Sequence, residues 1–135
     1  MIQKEVAQRI CAKPPRMSLL AVSVQFYADP KIISYVSKSC FLPAPKVDSA
    51  IIKITPSSEL GEFRRARGST DLFFKIVKAG FSHPRKQLAG NLSKELKLEK
   101  AQAENWFLNN NLKPSQRAET LSIEDWINLT KTACI

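Results

Sequence analysis

Hydrophobic positions follow two periods along this chain, and the switch between them marks its organisation. After a strand stub at Met1, Ile2 and Gln3, residues 4–12 (KEVAQRICA) place Val6, Ile10 and Cys11 on one side of a helix. Lys13, Pro14, Pro15 and Arg16 break that helix. Residues 17–28 carry Leu20, Val24 and Tyr27 at helical spacing and are assigned a helix, although Val22, Val24 and Phe26 also suit a strand. Residues 31–38 and 50–55 are β-branched runs that read as strands, and the connection 39–49 suggests an antiparallel pair.

Residues 56–68 (PSSELGEFRRARG) are polar and read as a linker. Beyond them the period is helical throughout. Ser69 or Thr70 caps a helix running to about Phe81, with Phe73, Ile76, Val77 and Gly80 on one face and Lys75 and Lys78 on another. Pro84 breaks the chain, residues 85–96 give a second helix, and residues 100–109 a third with Ala103, Trp106 and Phe107 inward. Ser122 and Asp125 form a capping box for a last helix striped by Ile123, Trp126, Ile127 and Thr130. The predicted fold is an α/β fragment over 1–56, a linker over 57–68 and an all-α unit over 69–135. Two strands, a stub and two helices leave a sheet edge and apolar surface uncovered, so self-association as a homodimer is expected.

Charge adds a partner class. The net charge is +9, from 21 basic and 12 acidic residues, and such an excess favours an anionic partner, nucleic acid above all. The excess lies in the first hundred residues; positions 101–135 hold three basic and four acidic side chains and do not share it. No apolar run reaches membrane-spanning length and no secretory leader opens the chain, which points to the cytoplasm. Cys11, Cys40 and Cys134 are odd in number and widely spaced, as free thiols in a reducing compartment are.

Catalytic chemistry is sparse. His83, the only histidine, precedes a proline and has no cysteine or carboxylate at ligand spacing, so a turn role is favoured and no metal site is assigned. No paired carboxylates stand out. The four glycines form neither a G-x-G-x-x-G nor a P-loop pattern, so nothing cradles a nucleotide-like cofactor.

The most distinctive stretch is 41–54, FLPAPKVDSAIIKI. Its prolines stiffen an extended loop that holds Phe41 beside Lys46, with a strand behind it. Two readings follow from the residues: an aromatic ring offered to a nucleic-acid base next to a phosphate, or a connection between strands with Phe41 tucked into the core.

This stretch resembles the F-x-P-x-P-K-V-D-S-A segment of the rRNA adenine N6-dimethyltransferases, most closely the bacterial small-subunit group associated with kasugamycin sensitivity. Three other stretches agree in order: MIQKEVA at 1–7, GFSHPRK at 80–86, and Arg117, Ala118 and Glu119 followed by Leu121 and Ser122. The resemblance implies transfer of methyl groups from S-adenosylmethionine to the N6 of adjacent adenines in small-subunit rRNA. In that family the cofactor loop and the N-L-P-Y segment precede the Q-K-E-V stretch. The chain is therefore expected to hold the last strands and helices of a class I Rossmann-like methyltransferase domain and the helical C-terminal domain. Alone it is expected to bind no cofactor and to be inactive. Macrolide-resistance methyltransferases acting on large-subunit rRNA, and a non-catalytic RNA-binding assembly module, are the alternatives.

Several roles are implied by the same resemblance. Phe41 matches the aromatic that stacks on the flipped-out target adenine. Lys46 is either a backbone-contacting cation or a solvated loop lysine. Arg85 and Lys86 match a basic rRNA-contacting run in which Pro84 replaces a usual arginine, and Lys75 and Lys78 extend it into a phosphate-tracking stripe. Arg64, Arg65 and Arg67 add reach. Arg117 and Glu119 read as a structural ion pair. Ala44 in place of a usual proline loosens the loop, and residues 15–19 depart from the family's Y-G-R-L-S.

Overall fold

The computed structural model describes residues 1–135. Its elements in order are β1 (Ile2–Gln3), α1 (Lys4–Ile10), α2 (Leu19–Gln25), β2 (Ala28–Val36), β3 (Ser49–Pro56), α3 (Gly61–Arg65), α4 (Ser69–Gly80), α5 (Leu88–Glu95), α6 (Lys100–Asn109) and α7 (Ile123–Lys131). The result is a mixed α/β fold around a three-stranded sheet of order β1-β3-β2, antiparallel throughout. The stub, the antiparallel pair, the third helix of the helical half and the Ser122 box all appear where their patterns put them. In that box the Ser122 hydroxyl accepts from the Asp125 amide at 3.2 Å, and the Asp125 carboxylate accepts from the Ser122 amide at 3.0 Å.

Three helix boundaries differ from the sequence reading, each for a tertiary reason. The helix assigned to 17–28 covers only Leu19–Gln25, capped by the Ser18 hydroxyl, which accepts from the Ala21 amide at 3.1 Å. Beyond it the chain is claimed by the sheet: Ala28, Asp29 and Pro30 pair with Pro56, Thr55 and Ile54, so the strand starts ahead of Lys31. Neither Ser69 nor Thr70 caps α4. Gly68 takes the cap position at φ 77°, a left-handed conformation glycine adopts without strain, and the Ser69 hydroxyl donates to the carbonyls of Phe63 and Ala66. The helix assigned to 85–96 starts only at Leu88, because residues after Pro84 form a turn and the Leu88 amide donates to the Gln116 carbonyl at 2.8 Å.

One apolar cluster runs through the molecule. Met17, Ala21, Val22 and Phe26 enter it from before residue 57, and Phe73, Ile76, Leu88, Phe107 and Trp126 from after it. Phe26, fully buried, stacks on Phe73 with ring centroids 4.2 Å apart, and Phe63 and Phe74 meet it edge-on, the arrangements aromatic quadrupoles prefer. The polar segment 57–68 takes part in this packing. It holds α3, it packs Leu60 and Phe63 on the core, and Arg64 forks onto the carbonyls of Phe26 and Ser57 while its guanidinium lies 5.7 Å from the Tyr27 ring. Arg64 is thus a brace between α2 and α3, not a free cation.

Arg117 and Glu119 make no ion pair; the salt bridges are Asp29–Lys31 and Lys100–Glu104. The segment works through its backbone instead. Ala118 is buried, and the Glu119 carbonyl accepts from the Met17 amide at 3.0 Å, tying the entry of the last helix to the start of α2.

Candidate nucleic-acid interface

The loop between β2 and β3 is fixed from both ends by Asp48. Its carboxylate accepts from the Lys38 amide at 2.9 Å, and its main-chain carbonyl accepts from the Lys4 amide at 2.9 Å. A 3-10 turn over Lys38–Cys40, opened by Ser37, delivers Phe41 in an extended conformation. Phe41 is half-buried, and its ring is neither in the apolar cluster nor among the residues packed on it. Leu42 beside it is fully exposed. Lys46 is exposed and lines a cleft of about 420 Å³, together with Lys4, Glu5, Lys38 and Asp48.

The second basic group sits on the helical half. Lys75 and Lys78 are exposed on α4, opposite the buried Phe73, Ile76 and Val77. Arg85 and Lys86 lie on the turn between α4 and α5, not on a helix as assigned from the sequence. The turn is pinned from inside by Asn91, a buried side chain whose amide donates to the carbonyls of Gly80 and His83, each at 2.9 Å. Lys86 lines a cleft of about 440 Å³ with His83, Gln87, Gly90, Asn91 and Lys94. Arg85, Lys75 and Lys78 lie outside it. None of these cations has a carboxylate within 4 Å, since neither salt bridge in the chain involves them.

Of the candidate residues, Lys46 thus lines one cleft and Lys86 another, while Lys75, Lys78 and Arg85 line neither. Lys4, Lys38 and Lys94 line these clefts without a sequence signal of their own, because lysine on a helix face or loop is common. His83 is exposed on the turn, 3.3 Å from the Ser82 hydroxyl, and its carbonyl serves Asn91. Burial pushes the Cys11 thiol up from its ordinary pKa against the opposing pull of Lys13, so Cys11 is the reverse of an activated nucleophile.

The four stretches singled out in the sequence come together in two pairs. MIQKEVA pairs with KVDSA through Ile2 opposite Ala50 and through the Lys4–Asp48 hydrogen bond. GFSHPRK ends two positions before a helix whose first residue, Leu88, is tied to Gln116, the neighbour of Arg117. A model of the family described as ribosomal RNA adenine dimethylase matches residues 1–133. The chain belongs to that family. Among curated relatives, it is 44% identical over 132 residues to ribosomal RNA small subunit methyltransferase A of Clostridium botulinum (strain Loch Maree / Type A3), covering 96% of this chain and 46% of that protein. It is 41% identical to the enzyme of that name from Dehalococcoides mccartyi (strain CBDB1), covering 96% of this chain and 43% of the relative. The chain thus spans under half the length of these relatives. Two solved structures share its fold at TM-score 0.69: a dimethyladenosine transferase from Plasmodium falciparum, at 24% identity over 94% of this chain and 53% of that one, and the 23S rRNA methyltransferase ErmE, at 21% identity over 96% and 51%.

The family is S-adenosylmethionine-dependent. The residues present do not make a cradle for that donor. Dinucleotide-like cofactors sit at the carboxyl ends of parallel strands, and this sheet contains no parallel pair. A Cβ built on Gly61, Gly68 or Gly90 would meet nothing within 4 Å, and Gly80 is packed under Trp126, so no glycine forms a tight backbone turn against a ligand; Gly90 lines only the basic cleft of Lys86. No step of methyl transfer is assigned to this chain.

Proposed function

We propose that this chain is the RNA-gripping part of an adenine N6-dimethyltransferase acting on small-subunit rRNA in the cytoplasm. In this reading residues 1–56 close the methyltransferase domain of Rossmann type, 57–68 brace it, and 69–135 form a helical unit that docks rRNA. The observation that carries it is a set of cations with no carboxylate within 4 Å: Lys46 on the loop tied by Asp48, Arg85 and Lys86 on the turn tied by Asn91, and Lys75 and Lys78 on the exposed face of α4. Unpaired cations on rigid turns suit a phosphate backbone, which positions a nucleic acid without reading its sequence. Lys75, Lys78, Arg85 and Lys86 grip the helical part of the RNA, and Lys46 meets the backbone beside the target.

Phe41 then forms one wall of the adenine pocket. Extruding a base costs a few kcal/mol, and stacking returns roughly 1–3 kcal/mol per base. S-adenosylmethionine and the opposite wall belong to the part of the family's length that this chain does not span. The relatives named for the small subunit favour that rRNA over the large-subunit alternative.

The test is filter binding of the chain to small-subunit and large-subunit rRNA fragments, with calorimetry against S-adenosylmethionine alongside. Preference for the small-subunit hairpin without cofactor binding is expected. Phe41→Ala should weaken binding by about 5- to 150-fold, the equivalent of one lost stack, while leaving the melting temperature unchanged because the ring lies outside the core. Equal affinity for both RNAs, or tight cofactor binding by the isolated chain, refutes the reading.

A further inference from the structure

We propose that Lys4, Lys38 and Lys46 form a phosphodiester-binding site assembled by Asp48, which holds the backbone of single-stranded RNA beside Phe41. This rests on the RNA-binding reading above and assigns a site to residues outside it, Lys4 and Lys38.

Three lysines far apart in the sequence converge on one open cleft. One residue brings them there. Asp48 takes the Lys38 amide on its side chain and the Lys4 amide on its main chain, and Lys46 stands two positions before it. A carboxylate among three lysines would ordinarily pair with an ammonium. Here Asp48 is directed at a backbone N–H, and no lysine of the three has a carboxylate within 4 Å, although Glu5 lines the same cleft. Lys4 is further held by the Tyr35 ring, 5.2 Å from its ammonium. Such an arrangement keeps three cations together and leaves them for a ligand.

The local charge selects the ligand. Three lysines against Glu5 and Asp48 leave a sum of +1 in the cleft. That balances the single charge of a phosphodiester and falls short of a phosphate monoester or a run of acidic side chains. The connection that supplies Lys38 and Lys46 to the cleft also carries Phe41, so a chain bound by the lysines has an aromatic ring within the same loop for an adjoining base. A single-stranded nucleic acid has this alternation of charge and flat apolar face; an acidic peptide does not.

The experiment is fluorescence anisotropy with a short adenine-containing RNA over a series of salt concentrations. The wild-type chain is compared with a Lys4→Gln/Lys38→Gln/Lys46→Gln variant and with a Lys13→Gln/Lys53→Gln/Lys113→Gln variant, which loses the same charge at exposed positions elsewhere. Each single-strand phosphate contact contributes about 0.7 to the slope of log affinity against log salt. The cleft variant should lose about 0.7 or more of that slope and roughly tenfold in affinity, and the control much less. Asp48→Ala supplies a reading of opposite sign. It removes a negative charge, so general electrostatics predicts tighter RNA binding, whereas a site positioned by Asp48 predicts weaker binding at unchanged helix content. Inorganic phosphate at matched ionic strength should not displace the RNA; displacement by it marks a free-anion site and overturns the proposal. Equal behaviour of the two lysine variants, or tighter binding by Asp48→Ala, overturns it as well. If wild-type RNA binding persists and depends only on Lys75, Lys78, Arg85 and Lys86, the cleft fails and the docking reading stands. If the wild-type chain binds no RNA, both fall.

Discussion

Gly80 offers the sharpest test of the packing, because its side of α4 has no room for a single carbon. A Cβ there would lie 2.5 Å from Cη2 of Trp126, 2.9 Å from Cδ1 of Leu88 and 3.0 Å from Cζ3 of Trp126. Carbon atoms at rest sit about 3.5–4.0 Å apart, so the overlap with the indole is about 1 Å. Trp126 and Leu88 are both buried, so neither can swing into solvent to yield. Overpacking of this kind costs about 1–3 kcal/mol, and the gain in helix propensity from glycine to alanine offsets at most about 1 kcal/mol of it. The net loss expected for Gly80→Ala is about 1–2 kcal/mol, or a fall in melting temperature of roughly 3–8 °C for a chain of this size.

Urea unfolding of Gly80→Ala, Trp126→Phe and the double variant measures the effect and its cause. Phenylalanine removes the part of the indole that the new methyl strikes, together with a buried ring N–H that has no hydrogen-bond partner. The double variant should therefore lose at least about 0.5 kcal/mol less than the sum of the single variants, the coupling expected of residues in contact. Gly80→Ala unfolding at or above the wild-type midpoint, or strict additivity in the cycle, would refute the steric argument.

Three further outcomes follow from the same geometry. Asn91→Ala deprives the carbonyls of Gly80 and His83 of their donor and should cost about 1–3 kcal/mol, read by chemical denaturation, while weakening RNA binding through the loosened turn of Arg85 and Lys86. Arg64→Lys cannot fork onto two carbonyls and should lower the unfolding midpoint by the equivalent of about 1.5–3 kcal/mol, whereas Arg65→Lys at an exposed neighbour should change nothing measurable. β1 pairs only with Ser49 and Ala50, which leaves the outer edge of β3 from Ile51 open, so sedimentation should show concentration-dependent dimers that strengthen with salt as repulsion between the +9 chains is screened; a clean monomer at high concentration counts against edge pairing.

Periodicity alone was enough for the elements whose ends are local. The Ser122 box needs only Asp125 three residues on, and the start of α6 needs only the box of Glu99 with Gln102. Ends decided by distant partners were not legible. The start of α5 depends on the Gln116 carbonyl, the start of β2 on pairing with Pro56, and the short length of α2 on the same pairing. Segment 57–68 looked like a linker because its polar composition hides the two apolar residues that dock, Leu60 and Phe63. The candidate site was half legible. Motif resemblance pointed to Phe41, Lys46, Arg85 and Lys86, but Lys4 and Lys38 belong with them only because Asp48 closes a contact across the sheet.

Asp48 and Asn91 set the backbone of the two turns on which the candidate cations stand. Each is a polar side chain spent on main-chain groups of another segment: Asp48 on the amide of Lys38, Asn91 on the carbonyls of Gly80 and His83. Each fixes the turn on which cations stand without touching a cation itself. Asn91→Ala changes stability and binding together, so loss alone does not tell a structural joint from a binding residue there, and at Asp48 it is the sign of the change against the lost negative charge that informs. The lysines tell the two apart. They sit on the solvent side of the joints, and their removal leaves Asp48 and Asn91 with the same backbone partners. A loss of RNA affinity confined to the lysine variants, at unchanged stability, is therefore the result that separates a surface built to hold RNA from a fold that merely carries excess positive charge.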